Sequence, residues 1–282
     1  MKSPSPSYLQ VFLTFARNSL VRDMTFRLNF VIECISSLSW ALMNLGFYII
    51  VFQHTDQIGR ASGWGQYEFF VFLSTTMLVN SLVQTFFMPN CEEFSELIRT
   101  GRLDFALLKP IDTQFLISLQ KVDWSSLSNF VLGLGLLVYS LLVMTQRPEA
   151  PLQLSAMIIV VYPLYVFCGV AILYSVMIML SATSIWMGRN QTLYDFWFYI
   201  TNFSRYPMEI YSGRWGTPLR MVFTYLLPVL IVVNVPARLL ALPLHADNHW
   251  LASFAILATI ISIVVSRQVF LLALNRYRSA SS

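Results

Sequence analysis

The run 156-AMIIVVYPLYVFCGVAILYSVMIMLSATSI-185 contains no Asp, Glu, Lys or Arg. About twenty apolar residues, rising 1.5 Å each, cross a hydrocarbon layer of about 30 Å, and a helix lets a single segment satisfy its own backbone groups there. The stretch therefore reads as a transmembrane helix. Working outward, the same reading applies to Leu28 to Val51, Tyr67 to Met88, Leu127 to Met144, Met221 to Leu240 and Leu251 to Leu274. The expected fold is an all-α polytopic membrane protein with six transmembrane helices. Composition agrees, since 56% of residues are hydrophobic and only 11% charged, against roughly 25% charged in a soluble domain.

Aromatic residues mark the interfaces. Trp64 and Tyr67 begin the second span, Trp124 precedes the third, Trp186 closes the fourth and Trp250 opens the sixth. An even number of spans returns both termini to one side. Lys and Arg are retained in the cytoplasm, which places the amino terminus there together with Arg17, Arg22, Arg27, Arg99, Arg102, Lys109, Lys121, Arg189, Arg205, Arg214, Arg220, Arg276 and Arg278. Arg60, Arg147 and Arg238 face out. The net charge of +4 then reports topology and contact with anionic lipid, and no nucleic-acid partner is needed to explain it.

The first two dozen residues lack the compact apolar core and cleavage site of a signal peptide. Tyr8, Leu9, Phe12, Phe15, Ala16, Leu20 and Met24 recur at helical spacing opposite Arg17, Arg22 and Asp23, which predicts an in-plane amphipathic helix over residues 1–26. Asn190 to Ser204 is aromatic but carries Asp195 and Asn202 between Arg189 and Arg205. Its reach as a helix is about 22 Å, short of the bilayer core. A crossing here would also move several arginines outside, so it is expected to lie at the interface.

Between the second and third spans runs a charged island, Ile98-Arg-Thr-Gly-Arg-Leu-Asp-Phe-Ala-Leu-Leu-Lys-Pro110. Gly101 and Pro110 bracket a short amphipathic piece, Arg102 to Lys109, with Leu103, Leu107 and Leu108 on one face. Such a stub at the membrane edge reads as a docking element for a soluble partner. Leu103, Leu107 and Leu108 are the expected buried contact; Arg99, Arg102, Asp104 and Lys109 are the expected register-setting charges.

Catalytic chemistry finds little support. His54, His245 and His249 are scattered without zinc-ligand spacing, and no metal site is expected. Cys34, Cys91 and Cys168 read as packing residues. A Gly-Lys-Ser/Thr phosphate loop is missing, so this chain has no nucleotide-hydrolysing site of that kind. Within the spans, Glu33 lies near the inner interface and Arg267 is placed to snorkel to the headgroups. Asn44, Asn80, Gln84 and Asn234 are the candidate polar lining of a path, or equally helix-packing glue. Pro163, Pro228 and Pro236 each remove a backbone donor and mark candidate hinges or kinks.

The island, with Arg205-Tyr-Pro-Met-Glu-Ile-Tyr211 and Leu227-Pro-Val-Leu-Ile-Val-Val-Asn-Val-Pro-Ala237, resembles the ABC-2 type permease family. The closer likeness is to the branch carrying Arg-x-Gly-x-Leu-Asp-x-x-Leu-Leu-Lys-Pro between its second and third spans. Tyr206 stands where many relatives have Phe. The resemblance implies a type V exporter-like fold, with one permease domain over 1–282. Within it lie a connecting helix at 1–26, two spans in 28–88, a cytoplasmic coupling segment at 89–120, two spans in 127–185, an interfacial segment at 186–220 and two spans in 221–274. It further implies a separate cytoplasmic ABC ATPase holding ATP and Mg, a second permease chain (self or related), residence in a bacterial inner membrane, and export. This chain itself would bind no cofactor. An ion-gradient-driven secondary transporter is the alternative. A lipid-modifying enzyme would need clustered catalytic groups that the sequence does not offer.

Overall fold

The computed structural model describes residues 7–59, 63–148, 152, 155–187, 198–242 and 248–277. Among these there are helices and turns but no strand. In order they are α1 (Tyr8–Thr25), α2 (Arg27–Phe52), α3 (Gln66–Phe86), α4 (Met88–Arg99), α5 (Arg102–Leu107), α6 (Thr113–Leu119), α7 (Leu127–Thr145), α8 (Ala156–Ala182), α9 (Ser184–Met187), α10 (Gly213–Met221), α11 (Val229–Ala241) and α12 (Asn248–Arg276). Residues 198–202 are also helical. Single 3-10 turns follow at Phe203–Arg205 and Met208–Ile210, and a π turn at Val222–Leu226.

Helix α3 is the hub, packed against α7, α8 and α11, while α8 also holds α12. Because lipid tails are as apolar as the helix surfaces, association here depends on close packing. Two glycines permit it. A Cβ on Gly133 of α7 would lie 2.9 Å from Met77 Cβ on α3, and one on Gly169 of α8 would lie 2.7 Å from the Val232 carbonyl oxygen of α11. Phe69, Phe72, Leu173, Ile178 and Leu230 fill the resulting core without exposure. Peripheral α2 leaves most of its length uncovered, with Leu28, Val31, Ile35, Trp40, Met43 and Phe47 facing outward.

The bundle has two ends. The proximal end carries α1, α4, α5 and α6; the distal end carries the α2–α3 connection. Five helices are long and apolar enough to cross a membrane: α2, α3 continued by α4, α7, α8 and α12. They match five of the expected spans.

The expected fifth span, Met221 to Leu240, does not hold as a straight helix. The segment Gly213–Leu226 meets Val229–Ala241 at 89°. Pro228 supplies no N–H, and the preceding Leu227 takes an extended conformation (φ −115°, ψ 89°), as a residue before proline favours. Alone, α11 is about 20 Å long and too short to cross. Both flanks of the bent pair lie at the distal end. Tyr211 donates its hydroxyl hydrogen to the Phe203 carbonyl at 3.1 Å, the Met208 N–H donates to Asn234 Oδ1 at 2.9 Å, and Leu242 lies against Gly63. The pair is therefore re-entrant.

Most of the segment expected at the interface, Asn190 to Ser204, lies outside the described residues, which resume at residue 198. α9 packs against α4 and α12 at the proximal end, whereas Phe203 sits at the distal end. Among the described residues five helices are long and apolar enough to cross, and Tyr277 comes back to the end that holds α1. Arg205, Arg214 and Arg220, assigned to the inner face with Arg99, are distal. Counting basic residues assigns a segment to one face or the other, and a re-entrant pair neither crosses nor stays at one interface.

Of the three prolines singled out, Pro163 is absorbed inside an unbroken α8, Pro236 lies within α11, and Pro228 alone stands at a sharp bend.

Candidate functional site

The proximal end is built from short helices whose boundaries the sequence specifies locally. α4 continues α3 after a break at Phe87, with Pro89 in its first turn, where a missing N–H is harmless. It ends at Gly101, whose φ of 69° is left-handed. Only a residue without Cβ adopts that readily, so the chain reverses there into α5. After Pro110, Asp112 caps α6 by accepting the Phe115 N–H at 2.9 Å.

Side chains then fix these pieces to the bundle. Asn90 donates to the carbonyl oxygens of Phe86 and Lys121 at 2.9 and 2.8 Å and accepts the Lys121 N–H at 2.8 Å. Glu93 forms ion pairs with Lys121 and, at 3.8 Å, with Arg102. In α6, Gln114 donates to the Tyr174 hydroxyl at 2.9 Å, and Ser118 lies 2.8 Å from that hydroxyl. Arg267 of α12 reaches Asp112 Oδ2 at 2.5 Å and Gln114 Oε1 at 2.9 Å. Burial alone raises the Asp112 carboxyl pKa, but the hydrogen bond and charge of Arg267, with the Phe115 and Gln114 N–H groups, outweigh it and hold the group below its ordinary value. The in-plane helix α1 joins from the side. Its Ser19 Oγ accepts the Val122 N–H at 3.1 Å, its Ala16 carbonyl accepts from Trp124 Nε1 at 3.2 Å, and Tyr8 meets Phe115 edge-on.

The island's residues separate into two groups. Leu103 is fully buried in the helix core, so it anchors α5 to its own chain and offers nothing to a partner. This corrects its placement on the contact face. Phe105 and Leu108, 68% and 81% exposed, form the projecting apolar crest, with Leu107 at its margin. Lys109 and Pro110 are exposed beside them. Arg99 is exposed yet held by Glu96 through two hydrogen bonds of 2.8 and 2.5 Å. Asp104 lies beside the Tyr277 phenol, whose pKa is raised first by burial and then by that carboxylate.

The expected path residues are not gathered together. Asn44 donates to the Trp40 carbonyl at 2.8 Å within α2, and Asn80 and Gln84 share one face of α3. Asn234 is fully buried and serves as a clamp, bonded to Leu230 O and to the Met208 N–H. Arg267, expected at the headgroups, is committed to α6. The exposed Phe105 escaped sequence reading because a six-residue helix has little periodicity. Asp112, two residues after Pro110 and before an apolar run, carried a legible capping signal. Its pairing with Arg267, 155 positions away, carried none.

At the distal end the polar groups are sunk. Trp64, expected at the membrane interface, is fully buried and donates through Nε1 to Glu209 Oε2 at 2.9 Å. Glu209 forms an ion pair with Arg238. Arg147 pairs with Glu68 at 2.5 Å and lies over the Tyr67 ring. Among the described residues no group of His, Cys, Asp and Glu is arranged to hold a metal ion.

The arrangement is therefore a crest on α5 whose support runs through α4 and α6 into α3, α8 and α12. A load applied to the crest reaches all three through backbone continuity and short hydrogen bonds. No curated protein and no solved structure matches the chain. The family model described as "ABC-2 family transporter protein" matches residues 38–281, nearly the whole chain and every span after the first turns of α2. This chain belongs to the ABC-2 family of transporter proteins, as a membrane component of an ABC transporter.

Proposed function

We propose that this chain is the permease subunit of an ATP-driven exporter, with the proximal end in the cytoplasm of a bacterial cell. A separate ABC ATPase, which binds ATP and Mg, docks on the crest of Phe105, Leu107 and Leu108. Its closure moves α5 and, through α4 and α6, the spans α3, α8 and α12. The observation that carries this reading is the pairing of an exposed apolar crest with a buried anchor, Leu103, in one six-residue helix. Exposed large apolar side chains flanked by Lys109 and Arg102 suit a protein groove, where a few desolvated anchors supply most of the affinity and rim charges set register. The motion reaches α8 and α12 because those are the helices to which α6 is bonded.

A second permease chain, identical or related, completes the path. The uncovered outer face of α2 supports that requirement, since it is broader than the face α2 gives to its own bundle.

The deciding test is purification in nanodiscs with co-expressed ATPase, comparing wild type with Leu108→Asp and Phe105→Asp. We expect the variants to insert and fold but to lose most of the co-purified ATPase or its transport-coupled activity. Equal recovery and coupling in wild type and variants would overturn docking on the crest. Transport that survives ATP depletion and collapses with the ion gradient would replace the exporter by a secondary transporter.

A further inference from the structure

Arg205 is the distal basic residue whose surroundings the fold leaves unexplained. It ends the 3-10 turn Phe203–Arg205 and is half-buried. Its guanidinium lies over the Phe198 ring, 5.3 Å from the centroid, close to the hydroxyls of Tyr206 and of Tyr48 on α2. Two acids of the distal end are taken: Glu209 by Arg238 and Trp64, Glu68 by Arg147. No carboxylate of the described residues pairs with Arg205.

A half-buried guanidinium that no carboxylate of the described residues pairs with is a costly arrangement in a membrane protein, and such residues are candidates for functional sites. The aromatic face offsets part of that cost by attraction between the cation and the ring. Among the described residues no hydrogen bond engages the in-plane N–H donors of Arg205, which have the geometry that grips phosphate or carboxylate through two parallel hydrogen bonds. The two phenol hydroxyls beside them are hydrogen-bonded to each other, which leaves one hydroxyl hydrogen for a ligand. The rim is apolar and open, since Phe198, Tyr199 and Tyr206 are all exposed, as is Phe47 next to Tyr48. An inorganic ion has no use for such a rim, whereas an amphiphile with an anionic head and an apolar tail fits both parts.

We propose that Arg205, with Tyr206, Tyr48 and Phe198, binds the phosphate or carboxylate head of an amphipathic molecule at the distal face. The head is held by the guanidinium and the one available phenol hydroxyl hydrogen, and the tail runs along the exposed aromatic rim beside α2. Either a membrane phospholipid or the transported molecule supplies this chemistry. The site needs no nucleotide, so its test is independent of the ATPase reading.

The experiment is equilibrium binding of radiolabelled decyl phosphate to the full chain, with whatever subunits co-purify, in phosphatidylcholine nanodiscs without nucleotide. Wild type is expected to bind saturably, with decyltrimethylammonium failing to compete. Arg205→Gln should weaken binding by about tenfold or more, and Arg205→Lys by less, since an ammonium keeps the charge but loses the fork. Thermal unfolding of each variant reports whether it is folded. Should Arg205→Gln misfold, Tyr48→Phe combined with Tyr206→Phe reads the same site, with an expected loss of about threefold. Absence of saturable binding to wild type, or unchanged binding in the folded variants, overturns the proposal and leaves Arg205 as an interfacial cation. Replacing part of the phosphatidylcholine with phosphatidylglycerol identifies the source. Displacement of decyl phosphate assigns the site to lipid, and persistence assigns it to the transported molecule.

Discussion

Each end of the bundle holds an arginine paired with a glutamate, and the two pairs sit in opposite surroundings. At the proximal end, Arg99 and Glu96 leave 60% and 41% of their side chains exposed; at the distal end, Arg238 and Glu209 leave 16% and 18%. Water screens the first pair, so it contributes little to stability. The second pair is largely removed from water, so loss of one partner strands a charge. The proximal end thus combines solvent-facing charge pairs with a few buried anchors such as Asn90 and Leu103. At the distal end, a few buried polar groups lock the re-entrant pair α10–α11 to the α2–α3 connection.

The largest break in this comparison is Glu209→Ala. It orphans Arg238 and the Trp64 indole together, and it should cost about 3–5 kcal/mol, read as a fall in thermal stability of the chain in detergent or nanodiscs. A variant as stable as wild type would show the distal lock to be ornamental. Next, Leu103→Ala removes a fully buried side chain from the proximal end and should cost about 2–5 kcal/mol. That result would show that α5 is anchored at one point even though its charges are exposed.

Asp112→Asn probes a middle case, because Arg267 and Asp112 are about a third exposed. Its effect near neutral pH should be about 1 kcal/mol. The Asp112 carboxyl is held below its ordinary pKa of 3.8. A depressed carboxyl stabilises the fold fully above its unfolded value and loses that contribution as pH falls through the folded value. The stability difference between wild type and Asp112→Asn should therefore be flat down to pH 3.8 and shrink below it. A difference that already shrinks between neutrality and that point would mean the pair is not formed.

The smallest effect on stability belongs to Leu108→Asp, within about 0.5 kcal/mol for a surface position, although it should have the strongest effect on ATPase recovery. Set against Leu103→Ala, it separates anchoring from docking within a single turn of helix. If Leu108→Asp also lowered stability by several kcal/mol, the crest would belong to the core.

Much of the fold was legible because crossing a bilayer is a one-dimensional demand. Length and apolarity of the segments around residues 28–51, 67–88, 127–144, 156–185 and 251–274 suffice to mark them, and the in-plane face of α1 and the turn at Gly101 rest on equally local chemistry. The island was legible as an island, but a helical wheel cannot say which of Leu103, Leu107 and Leu108 faces inward. That depends on where α4 and α6 press, and the answer left Leu103 inside and Phe105 out.

Sequence alone determined the class of this protein, five of its spans, the family its motifs resemble and the location of the island between the second and third spans, because each is set by composition or by contacts within a few residues. Tertiary structure decided that α10 and α11 turn back at the distal end, that Arg267 holds α6, and that Arg205 stands over an aromatic ring with no carboxylate of the described residues paired to it. Those outcomes join residues far apart in the chain, where burial and pairing follow from packing that no local pattern encodes.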